Sequence, residues 1–186
     1  MRIIGGIAKR RTIHAPKGTD TRPTQDYIRE ALFNILQGYV DESVCLDLFA
    51  GSGALGLEAI SRGAKYCVFC DKSRAAYAQI KENISLLGFD EQSMVLKCDW
   101  QVAISNAISK NIKFDLVFID PPYKIGDVEN ILTQLSQGGA LNKSAIIVLE
   151  RDKKSDTVTH KDFNHISHKE YGITTLDIYE FERKDE

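Results

Sequence analysis

The chain has 186 residues, 43% hydrophobic and 27% charged, which suits one globular domain with a real core and excludes a fibrous or wholly disordered polymer. A formal net charge of −2 and a pI of about 6.1 argue against a generic nucleic-acid coat. No apolar run approaches a membrane span, and the opening "MRIIGGIAKRRTIHAPKG" lacks the apolar stretch of a signal peptide and the Ser-rich amphipathic character of a transit peptide. A cytoplasmic protein without a membrane partner is expected.

Charge is uneven from the first residues. Residues 1–22 hold six Lys/Arg (Arg2, Lys9, Arg10, Arg11, Lys17, Arg22) against Asp20 alone, a net of +5 that leaves −7 for the rest. A basic arm on an acidic body can contact phosphates, and a merely solvated terminus would look the same. "RIIGG" and "RRTIHAP" read as two short strands of a hairpin, and "PKGTDTRPT" as a loop. A helix is expected from Gln25, capped by Thr24, to near Gly38, with Ile28, Ala31, Leu32, Ile35 and Leu36 on its apolar face.

Strands and helices then alternate. "VCLDL" is a strand and "ALGLEAISRG" a helix closed by Gly63; "YCVFCD" is a strand and "SRAAYAQIKENISLLG" a helix closed by Gly88. "MVLKCD", "FDLVFID" and "AIIVLE" read as further strands, with "WQVAISNAISK" and "VENILTQLSQGG" as helices between them. "FNHISHKEYG" and "ITTLDIYEFER" form a closing hairpin around Gly172. Continuous apolar strands separated by amphipathic helices imply a parallel sheet covered on both faces. The expected fold class is α/β: a Rossmann-like, doubly wound, mainly parallel seven-stranded sheet. It carries an antiparallel C-terminal hairpin and a small N-terminal β-hairpin extension. Two parts are expected, a basic arm over residues 1–22 and a main domain over 23–186.

Cys67 and Cys70 form a C-x-x-C, but within a strand residues three apart face opposite sides, so they should not share a metal or a disulfide. Cys45 and Cys98 also fall in expected strands, and all four thiols read as reduced core residues. His14, His160, His165 and His168 show no metal-site spacing with a carboxylate or thiol, so no metal is expected.

Ligands of such sheets bind beyond the carboxyl ends of the strands. The first four strands end at or just past Asp47, Asp71, Asp99 and Asp120. One such Asp can be a helix cap; four in register make a carboxylate-rich rim. The stretch "DLFAGSGALG" contains G-x-G-x-x-G as Gly51, Gly53 and Gly56, the fingerprint of dinucleotide sites. Asp47, four residues before the first glycine, contradicts that assignment, because a pyrophosphate wants N–H groups and not a carboxylate beside it. S-adenosylmethionine has the opposite demand: its sulfonium and ammonium are cations, and Asp47 can hold the ammonium. Asp71 suits ribose hydroxyls with either cofactor. Asp99 could accept from an adenine amine, and Trp100 or Phe69 could pack near the ring or simply fill core space. The cofactor set is Asp47, Phe49, Gly51, Gly53, Asp71, Lys72, Asp99 and Trp100.

"FIDPPY" places Asp120, Pro121, Pro122 and Tyr123 directly after a buried strand. Two prolines cannot continue the ladder and stiffen the turn. Asp120 and the Pro121 carbonyl can grip both hydrogens of an exocyclic amine, while Tyr123 stacks on its ring. Such a grip orients a poorly nucleophilic nitrogen toward a methyl sulfonium for in-line displacement.

"DLFAGSGALGLEA", "DPPY", "TRPT", "REALFN" and the "VLE" of the fifth strand, taken together, resemble the RsmD-type 16S rRNA guanine-N2 methyltransferases over nearly the whole chain. The glycine and "DPPY" motifs set only the class of amino-methyltransferase; "TRPT" with "REALFN", residues 21–34, is the more specific signal. The resemblance implies S-adenosyl-L-methionine as cofactor and methylation of N2 of guanine 966 in 16S rRNA, free or in a small-subunit assembly intermediate. It further implies that Asp120 to Tyr123 hold the base and that the basic segment, with Arg10, Arg11, Lys17 and Arg22, docks the RNA; a monomer is expected. Asp71 departs from the Glu more often expected there. Rival readings are an adenine-N6 methyltransferase, where "NPPY" is commoner, an NAD-dependent oxidoreductase, and a non-catalytic RNA-binding factor.

Overall fold

The computed structural model describes residues 1–16, 23–122 and 128–183. Lys17, Arg22 and Tyr123 lie outside the described residues.

The elements follow the expected order. They are α1 (Pro23–Ile35), β1 (Val44–Leu48), α2 (Ala54–Ser61), β2 (Tyr66–Cys70), α3 (Arg74–Leu87), β3 (Ser93–Leu96), α4 (Trp100–Ser109), β4 (Phe114–Ile119), α5 (Val128–Gln137), β5 (Leu141–Asp152), β6 (Phe163–Tyr171) and β7 (Thr174–Phe181). One seven-stranded sheet runs in the order β3-β2-β1-β4-β5-β7-β6. β1 to β5 are parallel, and β7 lies antiparallel between β5 and β6. The closing hairpin thus joins the sheet through its second strand and leaves its first at the edge.

Boundaries differ in instructive places. The first helix begins at Pro23 and not Gln25; proline is well placed in a first turn, where its missing N–H is not needed. β3 ends at Leu96, so Cys98 is outside the strand expected to hold it. β5 spans twelve residues rather than six, because it begins early at Leu141, level with Phe114 of β4, and Arg151 and Asp152 at its end still pair with β7.

Strand side chains alternate between two cores, as a sheet buried on both faces requires. Cys45, Cys67, Phe69 and Phe118 pack with Leu32 and Phe33 of α1, Leu57 of α2 and Ile80 of α3. Leu46, Val68, Cys70 and Val117 pack with Ile104 of α4 and Leu132 of α5. Cys67 and Cys70 therefore lie in opposite cores, as their spacing implied. Among the described residues no helix is long and apolar enough to cross a membrane.

The N-terminal segment is a hairpin in outline, with a strand-type bridge between Arg2 and Thr12 and backbone bonds from the Ile3 N–H to the Arg11 carbonyl at 2.9 Å and from the Ile13 N–H to the Met1 carbonyl at 3.0 Å. Its anchorage comes from elsewhere. Glu58 of α2, fully buried, accepts the Ile4 and Gly5 N–H groups at 2.8 and 2.7 Å. Ser61 accepts from the Ala8 N–H at 2.9 Å and donates to the Gly5 carbonyl at 2.6 Å. Gly6 lies so close to α2 that a Cβ would come within 1.6 Å of the Ser61 carbonyl oxygen. Asn83 of α3 brackets His14, accepting its N–H at 2.9 Å and donating to its carbonyl at 2.8 Å. Ile3 and Ile13 are fully buried in the first core. The segment is part of the fold and not a loose tail.

Candidate active site

The turn after β1 is built from left-handed residues: Phe49 at φ 63°, Gly51 at 58° and Gly53 at 78°. Phe49 is not glycine, so its backbone carries strain of order 1–2 kcal/mol. The glycines do different jobs. A Cβ on Gly51 would meet only the Phe49 carbonyl oxygen, at 4.0 Å; this position is open to a ligand. A Cβ on Gly56 would strike Phe69 at 2.3 Å and the Cys67 sulfur at 2.6 Å. Gly56 therefore lets α2 lie against β2 and has no part in ligand approach.

Beside this turn is a cavity of about 280 Å³ at the carboxyl end of the sheet. It gathers Asp47, Phe49 and Gly51 with Asp120, and adds two residues not singled out in the sequence, Arg29 and Glu150. Asp47 is 2% exposed and accepts the Gly56 N–H at 3.0 Å. Burial pushes its carboxyl up to about 7, against that hydrogen bond and with help from the charges of Asp120 and Asp71. Asp120 can be reached from the cavity, yet protein crowds it on the sheet side, and the lost hydration pushes it up to about 6. Burial, then the Asp120 charge, pushes Glu150 up to about 8. Three carboxyls held above their ordinary range in one cleft mark a place awaiting positive charge or donor hydrogens.

Arg29 supplies the opposite sign. It is 4% exposed on α1, donates to Asp26 at 3.0 Å and to the Arg2 carbonyl, and stands 3.7 Å from Glu58. Its Nε makes no hydrogen bond. The sequence signal was available: Arg29 precedes Leu32 and Phe33 by three and four residues, so it lies on the apolar face of its helix. Glu150 was equally legible as the acid closing the fifth strand, after the four already noted.

The other expected cofactor residues stand apart from the cavity lining. Gly53 is the N-terminal cap position of α2. Asp71 accepts the Gly51 N–H at 2.9 Å and the Ser73 N–H at 2.8 Å, so it braces the glycine turn. Lys72 and Asp99 are exposed and 4.0 Å apart, and Asp99 holds the N-cap position of α4 without a side-chain capping bond. Trp100 is 6% exposed within the second core. Pro121 is half-buried and Pro122 exposed at the mouth of β4.

Of the expected RNA residues, Arg10 is exposed with a left-handed backbone at φ 72°. Arg11 is committed to the fold: its guanidinium donates to the Leu87 carbonyl at 3.1 Å and to that of Leu86. A cation there satisfies the free carbonyls and the negative end of α3.

The histidines also hold a surprise. A register shift in β6 between His165 and Ser167 brings His165 and His168 onto one carboxylate oxygen of buried Asp177, at 2.9 and 2.7 Å. No spacing rule shows this, because a bulge changes which side chains share a face. Arg151 takes the other oxygen at 2.5 Å. The carboxylate already has its counter-ion, and the cluster locks β5, β7 and β6 together.

Comparison with known proteins agrees with this geometry. The family model described as "Conserved hypothetical protein 95" matches residues 1–180. The Haemophilus influenzae protein named "Ribosomal RNA small subunit methyltransferase D" is 31% identical, covering 97% of this chain and 93% of its own length. The Escherichia coli protein of the same name is 36% identical over 86% of this chain and 78% of its own. The solved structure of yhhF from Escherichia coli is 33% identical, with a TM-score of 0.85 and 99% coverage of both chains. SMU.776, solved in complex with SAH, shares the fold at a TM-score of 0.71 and 15% identity. A buried acid before the glycine turn, an accessible acid after β4 and similarity along the whole chain lead to one conclusion: this chain belongs to the family of ribosomal RNA small subunit methyltransferase D.

Proposed function

We propose that this chain is an S-adenosylmethionine-dependent rRNA methyltransferase whose target is the exocyclic N2 of a guanine in small-subunit rRNA, guanine 966. The names of the relatives support methyl transfer to small-subunit rRNA. The observation that carries the chemistry is the single cavity joining Asp47, Arg29 and Asp120.

The cavity is fitted to a zwitterionic amino-acid tail. Asp47 would take an ammonium, and Arg29, held between Asp26 and Glu58 at the edge of the same cavity, is the cation suited to a carboxylate. Gly51 leaves room for the tail beside the backbone. Asp71, by holding the Gly51 N–H, keeps the turn in that open shape. The bound cofactor supplies an electrophilic methyl group on a sulfonium. Asp120 is positioned to accept an N–H of the incoming amine, and its raised range makes it a better proton acceptor than an ordinary carboxylate. The nitrogen that accepts the methyl group would give up its extra proton to Asp120 or to water. Most of the acceleration comes from positioning and electrostatics. A guanine paired in a helix has N2 engaged, so the base must be exposed or turned out.

The test is methyl transfer from labelled S-adenosylmethionine to ribosomal fractions from cells lacking this enzyme, with the modified nucleoside mapped. N2-methylguanosine at one small-subunit site is expected. Label confined to adenine, or activity unchanged in Asp120→Ala, refutes the reading.

A further inference from the structure

Three acids share one face of the sheet at two depths. Asp47 is level with Phe118, and Phe118 with Val148. Ile119 is level with Leu149, so Asp120 and Glu150 follow side by side on adjacent strands. Cys45, Phe118 and Val148 all pack in the first core. By the two-residue period, Asp47, Asp120 and Glu150 therefore project to that same side, and all three line the cavity. The Asp120–Glu150 pair lies two residues further out than Asp47, about 6–7 Å along the strands. The inner acid suits the cofactor tail. The outer pair presents neighbouring acceptors where a base would enter.

Resting on the guanine-N2 reading above, we propose that Glu150 is a specificity-determining residue: it accepts the N1–H of guanine while its neighbour Asp120 holds the N2 amine. Guanine is the base that offers these two donors side by side. Adenine presents a bare N1 acceptor beside its amine, which would face a carboxyl oxygen. Burial, then the Asp120 charge, pushes the Glu150 carboxyl up to about 8, and an N1–H brought against it favours the ionised form, which only accepts. A carboxylate cannot donate to the bare N1 of adenine. Glutamine keeps the accepting oxygen, but its amide can turn to donate; alanine offers neither. A site built to hydrogen-bond a substrate group rejects analogues lacking it, because its own polar group is left unpaired.

The experiment uses the full chain and unmethylated small-subunit particles whose target position carries guanine or 2-aminopurine. The analogue keeps the 2-amine and lacks N1–H. Methyl transfer is read as kcat/KM for the wild type, Glu150→Ala and Glu150→Gln, with S-adenosylhomocysteine affinity as the check on folding. The wild type should prefer guanine. Glu150→Ala should lower the guanine rate about tenfold or more and the 2-aminopurine rate far less, so the preference shrinks about tenfold. Glu150→Gln should keep the guanine rate within a few-fold, since its carbonyl oxygen still accepts N1–H, and should raise the 2-aminopurine rate, since the turned amide donates to the bare N1; cofactor affinity should be unchanged in both variants. If Glu150→Ala lowers both substrates equally, or Glu150→Gln loses the guanine rate as Ala does, the assignment is overturned while the guanine reading stands. A wild type that makes no N2-methylguanosine overturns both.

Discussion

Replacing Asp47 by Asn keeps the side-chain shape and an oxygen for the Gly56 N–H but removes the charge. In the folded protein burial holds this carboxyl at about 7 against an ordinary value of 3.8. The folded state therefore binds the proton more tightly than the unfolded chain. The stability this provides is complete below about pH 4 and is lost as pH rises through about 7. At about 1.4 kcal/mol per pH unit the ceiling is about 4 kcal/mol. Asp47 lines a cavity that water can enter, so we expect about half of that, roughly 2 kcal/mol. Without ligand, Asp47→Asn should be more stable than the wild type at pH 8, and the gap should close toward pH 4. Urea denaturation at several pH values measures it. The same variant should bind S-adenosylhomocysteine at least tenfold more weakly, because the ammonium loses its charged partner. Wild-type binding should release a proton near pH 7, seen by calorimetry in buffers of different ionisation enthalpy. An Asn variant less stable than the wild type at pH 8, or one with undiminished ligand affinity, refutes the assignment of Asp47 as a buried carboxylate kept for a cation.

Gly56→Ala should destabilise the fold by about 2–3 kcal/mol, since the new methyl meets Phe69 and Cys67. Gly51→Ala meets no neighbour but forces a left-handed alanine, so it should cost about 1 kcal/mol of stability and weaken ligand affinity as well; thermal melts with and without S-adenosylhomocysteine will separate the two effects. Arg11→Ala should lower stability by about 1 kcal/mol through loss of the α3 cap. Arg10→Ala should leave the melt unchanged while weakening RNA binding and flattening its salt dependence, read by filter binding at several salt concentrations. Asp177→Asn leaves Arg151, 9% exposed, without its counter-ion and should cost about 3 kcal/mol in chemical denaturation; a loss under 1 kcal/mol would contradict the ion-pair lock.

The order of elements was legible because its causes are local. Continuous apolar runs gave the strands, glycines closed α2 and α3, and the prolines after β4 ended a ladder they could not join. The acids at strand ends were visible for the same reason, since each is adjacent in sequence to the strand that places it. Arg29 was present in a recognised segment yet carried no sign that its helix crosses the mouth of the sheet. His165 and His168 meet Asp177 only through a bulge, which no spacing rule detects.

By itself the sequence determined the secondary structure, the handed repetition that makes a doubly wound sheet, and the acid that excludes a pyrophosphate. Tertiary structure alone decided which of those acids become neighbours. Strand order sets β1, β4 and β5 side by side, which gathers Asp47, Asp120 and Glu150 and leaves Asp99 outside on the β3 flank. It also divided the glycine motif into one residue open to ligand and one packed against β2. Adjacency across a sheet depends on pairing between residues far apart in the chain, and shared burial in one cleft is what displaces their proton affinities together.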